Sequence, residues 1–266
     1  MGQAKKRTTP IGVCIYCGNT ENLTDEHVIP YGLGGDLILS EVSCPTCCEI
    51  TMKLEGRLLR GHWWPYRRFL GLKSRRPKEQ NPDLPVTVIH PNGIESKALL
   101  PISQQTIALV FELDPPSILR NVIRTDIPSA PRVYWKHFAQ LPSIVYINNE
   151  EYKLSGDDKL NVPVNFDASD LCRFLAKVAH CYAISRRGLQ ACYEYYLPEI
   201  ILGKVEGALT YIGGADSPFI GKRLPGSSIH SLMDRINNQY LSVYIQFFRD
   251  KGDPPPIYEV IVGKIN

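Results

Sequence analysis

Four of the eight cysteines stand as two Cys-x2-Cys pairs, Cys14-Ile15-Tyr16-Cys17 and Cys44-Pro45-Thr46-Cys47, with 26 residues between them. Each pair makes a tight knuckle that presents two thiolates to one point. Two knuckles complete a tetrahedral all-thiolate set with no open ligand position. The spacing therefore predicts one structural Zn²⁺ held by Cys14, Cys17, Cys44 and Cys47. A module of this size has too small a core to fold alone, so metal binding would supply folding energy. Clustered cysteines of this kind point to metal or catalysis rather than to disulfides. Cys172, Cys181 and Cys192 stand apart and read as ordinary buried thiols.

The rest of the chain sorts around this cluster. Residues 1–10 read as a basic, unstructured tail. Residues 11–43 alternate short extended pieces with turn signals, among them Cys17-Gly18-Asn19, Pro30 and Gly34-Gly35-Asp36. Pro45 opens a helix at its first turn, where its missing N–H costs nothing, and that helix is expected to end at Arg60 or Gly61. A proline-rich linker follows near residues 76–82. Beyond it, strands are expected at Pro85–His90, Ile94–Leu100, Thr106–Leu113, Arg132–Trp135 and Ile144–Ile147. The last three are Ser228–Met233, Tyr240–Phe248 and Ile257–Val262. His90-Pro91-Asn92-Gly93 is a hairpin signal. Asp167–Arg187 is the clearest helix, with Asp167 or Ser169 to cap it and Gly188 to end it. The fold class expected is α+β: a zinc-stabilised module over 1–80, then an antiparallel α+β domain over 81–266.

Between the knuckles lie Asp25-Glu26-His27-Val28-Ile29-Pro30 and Gly34-Gly35. Cys14-x2-Cys17, Glu26-His27-Val28-Ile29-Pro30, Gly34-Gly35 and Cys44-x2-Cys47, in that order, resemble the HNH endonuclease family. The resemblance covers roughly residues 10 to 78 and implies a ββα-metal fold that hydrolyses phosphodiester bonds. It makes His27 the general base that activates water. A neutral imidazole, with an ordinary pKa of about 6.5, suits that task near pH 7. It makes Glu26 a ligand of a catalytic Mg²⁺ or Mn²⁺, which would stabilise the leaving oxygen. Strand alternation, however, turns neighbouring side chains to opposite faces, so His27 is the firmer assignment. Two positions depart from the pattern: Glu41 replaces a frequent Asn, and Cys48 replaces a ligating His or Asn. A thiolate is a poor partner for Mg²⁺. Glu55, on the expected helix, is the candidate substitute ligand. Its setting resembles HNH-like proteins with Cys-x2-Cys-x3-Thr-x3-Glu, matched by Cys44, Cys47, Thr51 and Glu55.

Charge is distributed unevenly although the net is only +3. From Lys53 to Lys78 there are nine Lys or Arg residues and a single acid, Glu55, whereas from residue 81 onward 18 basic residues balance 19 acidic ones. Such a stretch suits a polyanion. Arg57, Arg60, Arg67, Arg68, Arg75 and Arg76 are the expected contacts to nucleic acid, with DNA favoured over RNA. Trp63 and Trp64 are expected to pack this segment onto the zinc module.

After residue 80 no nucleotide loop, catalytic-triad spacing or second metal cluster is evident. Phe174–Tyr182 and Leu197–Gly203 resemble C-terminal regions of bacterial HNH-containing proteins of undefined role, which bears on architecture alone. A regulatory, sensing or targeting role is left to this domain, with a homodimer or a protein partner open. No apolar run approaches the ~18–20 residues that cross a bilayer, and the basic N-terminus lacks a following apolar stretch, so a cytoplasmic, non-membrane protein is expected. The competing reading is a catalytically inactive zinc protein that binds nucleic acid, with Glu41 and Cys48 marking a lost site. A zinc-scaffolded protein-interaction domain is a third.

Overall fold

The computed structural model describes residues 6–61, 63–72, 83–123, 132–137, 141–162, 167–215, 224, 229–249 and 254–265. Lys6–Arg7 (β1), Thr24–His27 (β2) and Leu37–Ser43 (β3) form a sheet in the order β1-β3-β2. The expected unstructured tail thus gives way to structure from Lys6 onward. β1 runs parallel to β3, and the Lys6 and Thr8 amides donate to the Asp36 and Ile38 carbonyls. Pairing satisfies the edge of β3, and Arg7 gains an ion pair with Asp25.

Pro45–Arg60 (α1) follows β3 directly, with Cys44 as its N-cap and Pro45 in its first turn. The helix buries Cys47, Thr51, Leu54 and Leu58, a stripe at three- and four-residue spacing. A short second helix, Trp64–Phe69 (α2), packs beside it.

Leu84–Ile89 (β4) and Glu95–Leu100 (β5) pair across the expected turn. Ile107–Glu112 (β6) pairs with Arg132–His137 (β7). Ile144–Ile147 (β8), Glu150–Lys153 (β9) and Lys159–Asn161 (β10) complete a five-stranded antiparallel sheet in the order β10-β4-β5-β8-β9. Ala168–Arg187 (α3) is capped by the Asp167 carboxylate, which accepts from the Ser169 and Asp170 amides. It ends at Gly188. Glu194–Tyr195 (β11), Pro198–Ile201 (α4), Ile212–Gly214 (β12), Ser231–Asn237 (β13), Tyr240–Gln246 (β14) and Tyr258–Lys264 (β15) finish the described fold. Their sheet runs β11-β15-β14-β13, with β12 also on β15. β13 continues past the expected end at Met233. Its polar Asp234-Arg235 step lies on a half-exposed strand that stays paired with β14 as far as Asn237–Tyr240.

One buried apolar cluster joins the cysteine module to α3 and the last sheet, from Cys14, Leu54 and Leu58 to Phe174, Val178, Ile245 and Val262. Trp63 sits at the junction. Its ring centroid lies 5.4 Å from that of Phe174, 5.3 Å from Phe247 and 5.6 Å from Phe248. As expected, Trp63 shares a buried cluster with the cysteine module, and its indole also faces Phe174 of α3 and Phe247 and Phe248 just after β14. The expected boundary at residue 80 lies outside the described residues. Among those described, no helix is long and apolar enough to cross a membrane.

Candidate functional site

The first knuckle is closed by its own backbone. The Gly18 amide donates to the Cys14 carbonyl at 2.9 Å, with Gly18 at φ +79°, and the Cys14 amide donates to Asn19 at 2.7 Å. The second knuckle is the start of α1, where Cys44 caps the helix and Cys47 lies in its first turn. These elements bring the ligand atoms of Cys14, Cys17, Cys44 and Cys47 within 4.8 Å of one another. The Cys17 and Cys44 sulfurs are 3.6 Å apart. A tetrahedral zinc with bonds of about 2.3 Å separates its sulfurs by about 3.8 Å, so the donor set fits a Zn²⁺. Burial pushes the Cys44 thiol up, but hydrogen bonds from the Cys47 amide and the neighbouring thiols outweigh it and bring Cys44 down to about 7. Burial and the surrounding sulfurs push Cys47 up. Four thiolates so close need a cation among them.

His27 ends β2, opposite Ile38 of β3. The β2–β3 ladder is irregular between Thr24 and Glu26, where β3 carries extra residues. Glu41 sits there with φ +53°, exposed, its amide donating to the Asp25 carboxylate at 3.3 Å. From Glu26 to His27 the strand alternates regularly. Glu26 is buried, 7% exposed, while His27 is half-buried with Nε2 shielded from solvent. The His27 ring meets Tyr31 edge-on, with centroids 6.2 Å apart. After Pro30 a tight 3-10 turn leads into Gly34 and Gly35. Gly34 has φ +82°, and a Cβ on Gly35 would lie 1.8 Å from the Ile29 carbonyl oxygen. The glycine pair is therefore dictated by the backbone.

Glu26 and Glu55 do meet, and a lysine stands between them. Lys177 of α3, 0% exposed, places Nζ 3.0 Å from Glu26 Oε1 and 2.8 Å from Glu55 Oε1. The same ammonium donates to the carbonyl of His27. Glu26 Oε2 also accepts from Tyr16 at 3.3 Å and from Thr51 at 3.2 Å. On α1, Cys47, Thr51 and Glu55 follow at four-residue spacing, so one stripe carries a zinc thiolate, a hydroxyl and a carboxylate. Glu55 therefore belongs with Cys47; Cys48 is half-buried. Lys177 was absent from the sequence reasoning. Only its place on the buried stripe of a strongly periodic helix could have singled it out.

More of α3 grips the module. Arg57 forms a two-pronged ion pair with Asp170. His180 Nε2 lies 2.8 Å from the Ile15 carbonyl, and Tyr16 Oη lies 3.3 Å from Cys181 Sγ. From the last sheet, His230 Nε2 lies 2.9 Å from the Leu33 carbonyl.

The arginines divide. Arg60 is exposed, and the Arg68 guanidinium lies 5.0 Å from the Trp64 ring. Arg67 departs from the surface role expected of it. It is 7% exposed, and its guanidinium donates to the Gly32 and Leu59 carbonyls at 2.6 and 2.7 Å. The loop before Gly34 needs donors, and Arg67 supplies them. Arg75 and Arg76 lie outside the described residues.

A second cluster escapes any reading of spacing. His90 Nε2 lies 2.9 Å from Ser96 Oγ, and His90 Nδ1 lies 3.0 Å from Asp158 Oδ1. The order is that of a nucleophile, base and orienting acid. The nearby turn amides of His90, Gly93 and Ile94 are consumed within the hairpin, so they cannot serve an oxyanion. The cluster ties β4 and β5 to the loop before β10. A cavity of about 540 Å³ opens on that same sheet, lined by Thr87, Lys97, Leu99, Tyr146 and Asn161 among others, none of them in the cysteine module.

The family model described as HNH endonuclease matches residues 14–59, from the first knuckle cysteine to the last turn of α1. No curated protein and no solved structure matches the chain. Residues 14–59 form an HNH-endonuclease-like module whose four cysteines can chelate a metal.

Proposed function

We propose that this protein is an HNH-type endonuclease that hydrolyses phosphodiester bonds of nucleic acid, DNA in preference to RNA, with His27 as general base. The observation that carries the reading is the family match over 14–59, together with the position of His27 on β2 between the two knuckles. A Zn²⁺ held by Cys14, Cys17, Cys44 and Cys47 would fix the β2–β3–α1 frame and supply no chemistry to the reaction, since no ligand position would be left for substrate. The imidazole of His27 takes the proton of the attacking water. Arg60 and Arg68, with Arg75 and Arg76, contact phosphate, while Arg57 is engaged by Asp170; phosphate contacts set affinity and register, not sequence preference. The family resemblance gives Glu26 and Glu55 to a divalent Mg²⁺ or Mn²⁺, which would, if bound, counter the charge that builds on the phosphoryl oxygens. Residues 81–266 brace the module and carry a regulatory or targeting role.

One observation favours a second reading, a zinc module that binds nucleic acid without cutting it. Both acids that the family resemblance gives to the catalytic cation are engaged by Lys177. A plasmid-nicking assay of the full, zinc-loaded chain separates the two. The nuclease reading expects nicking that needs added Mg²⁺ or Mn²⁺ and stops on their removal. Binding without any cutting, across both metals and both single- and double-stranded substrates, supports the second.

A further inference from the structure

We infer that Lys177 is itself the cation of the Glu26–Glu55 pair, in the place that the resemblance gives to a divalent metal, and that through it α3 positions His27. The cation assignment stands on the geometry alone; the positioning role rests on the reading of His27 as base.

The donor set argues against a divalent ion at this pair. A Mg²⁺ or Mn²⁺ site needs carboxylate oxygens with open lone pairs and room for water. Glu26 Oε1 and Glu55 Oε1 both point at one ammonium, at 3.0 and 2.8 Å. Glu26 Oε2 is held by Tyr16 and Thr51. An ion entering here would meet a buried positive charge with no exposed surface of its own. Like charges at that distance in a poorly solvated site repel strongly.

The same contacts stabilise the charged lysine. Its Nζ lies 3.0 Å from one carboxylate and 2.8 Å from the other, and opposite charges this close favour the ammonium form. Geometry also fixes the direction of approach. Arg57 and Asp170 lock α1 to α3 seven residues before Lys177, on the same face of the helix. Lys177 then reaches past the acid pair to the peptide carbonyl of His27. The backbone of the base is thus tied to a helix from the far half of the chain, and its side chain is left to the opposite face of β2.

The test uses the full, zinc-loaded chain and Mn²⁺ alone, with free Mn²⁺ followed by electron paramagnetic resonance. Glu26→Gln and Glu55→Gln keep shape and hydrogen bonding while removing charge. Each should change whatever Mn²⁺ affinity the wild-type protein has by less than threefold. A loss of threefold or more in either variant overturns the cation assignment. Positioning is read from cleavage by Lys177→Arg and Lys177→Met at matched zinc content. Lys177→Met should lower kcat at least tenfold with KM within twofold, and Lys177→Arg should recover at least a third of the wild-type rate. Equal loss in both variants, or loss confined to KM, overturns the positioning role. A wild-type protein that never cuts overturns that role together with the nuclease reading, and the Mn²⁺ arm still decides the cation.

Discussion

At the scale of single residues, Glu41 shows backbone conformation selecting side chains. Its φ of +53° lies in the left-handed region, which costs most L-residues roughly 1–2 kcal/mol and Asn less. Glu41→Asn should therefore raise unfolding free energy by up to about 1 kcal/mol, read from urea titration. The buried histidines make a second prediction. Burial lowers His180 and His230 from 6.5 to about 4 in the folded chain. Between those values the unfolded chain binds more protons than the folded one. Stability is fully present above about pH 6.5 and falls as pH drops towards 4, by at most about 3 kcal/mol for each histidine. His230→Gln, remote from the thiolates, should flatten that slope in thermal melts without changing zinc content. An unchanged slope would refute the assignment. At this scale the cysteine cluster was legible because its two pairs lie in one short stretch of sequence. Lys177 was not, because the carbonyl it serves is 150 residues away and no local pattern records such a contact.

At the scale of elements, legibility followed local signals. Pro45 and the apolar spacing gave α1 its limits, and Asp167 and Gly188 gave α3 its own. The cap of α3 has work beyond the helix. It orders the turn that carries Asp170, the partner of Arg57. Asp167→Ala should lower stability by about 1 kcal/mol in denaturant titration, leaving zinc content unchanged. A loss indistinguishable from zero would mean the first turn is held by packing alone. β1, α2 and the full length of β13 were not legible. β1 exists only because β3 presents an edge to it, and α2 is a six-residue helix shaped by where Trp63 and Tyr66 bury. The Ser96–His90–Asp158 cluster belongs to the same class, since topology alone brings Asp158 to the hairpin.

At the scale of the whole molecule, the cysteine module and the far half share a core. Trp63 and the Lys177 acid pair both lie where the two meet. Removing zinc should therefore be felt beyond the knuckles. Treatment with a strong chelator should lower the melting temperature and shift tryptophan emission to longer wavelength as Trp63 gains water. An unchanged emission spectrum in metal-free protein would show that the core holds without the ion. Under the proposed function the labour divides: thiolates hold the frame, the far half braces it, arginines would hold phosphate, and one imidazole would activate water. The most direct measurement is the cleavage rate of His27→Ala relative to wild type, at equal zinc content and equal nucleic-acid affinity. Loss of a general base costs ~10²–10⁴-fold, and the account predicts a fall in that range. A His27→Ala protein that cuts as fast as wild type would contradict it.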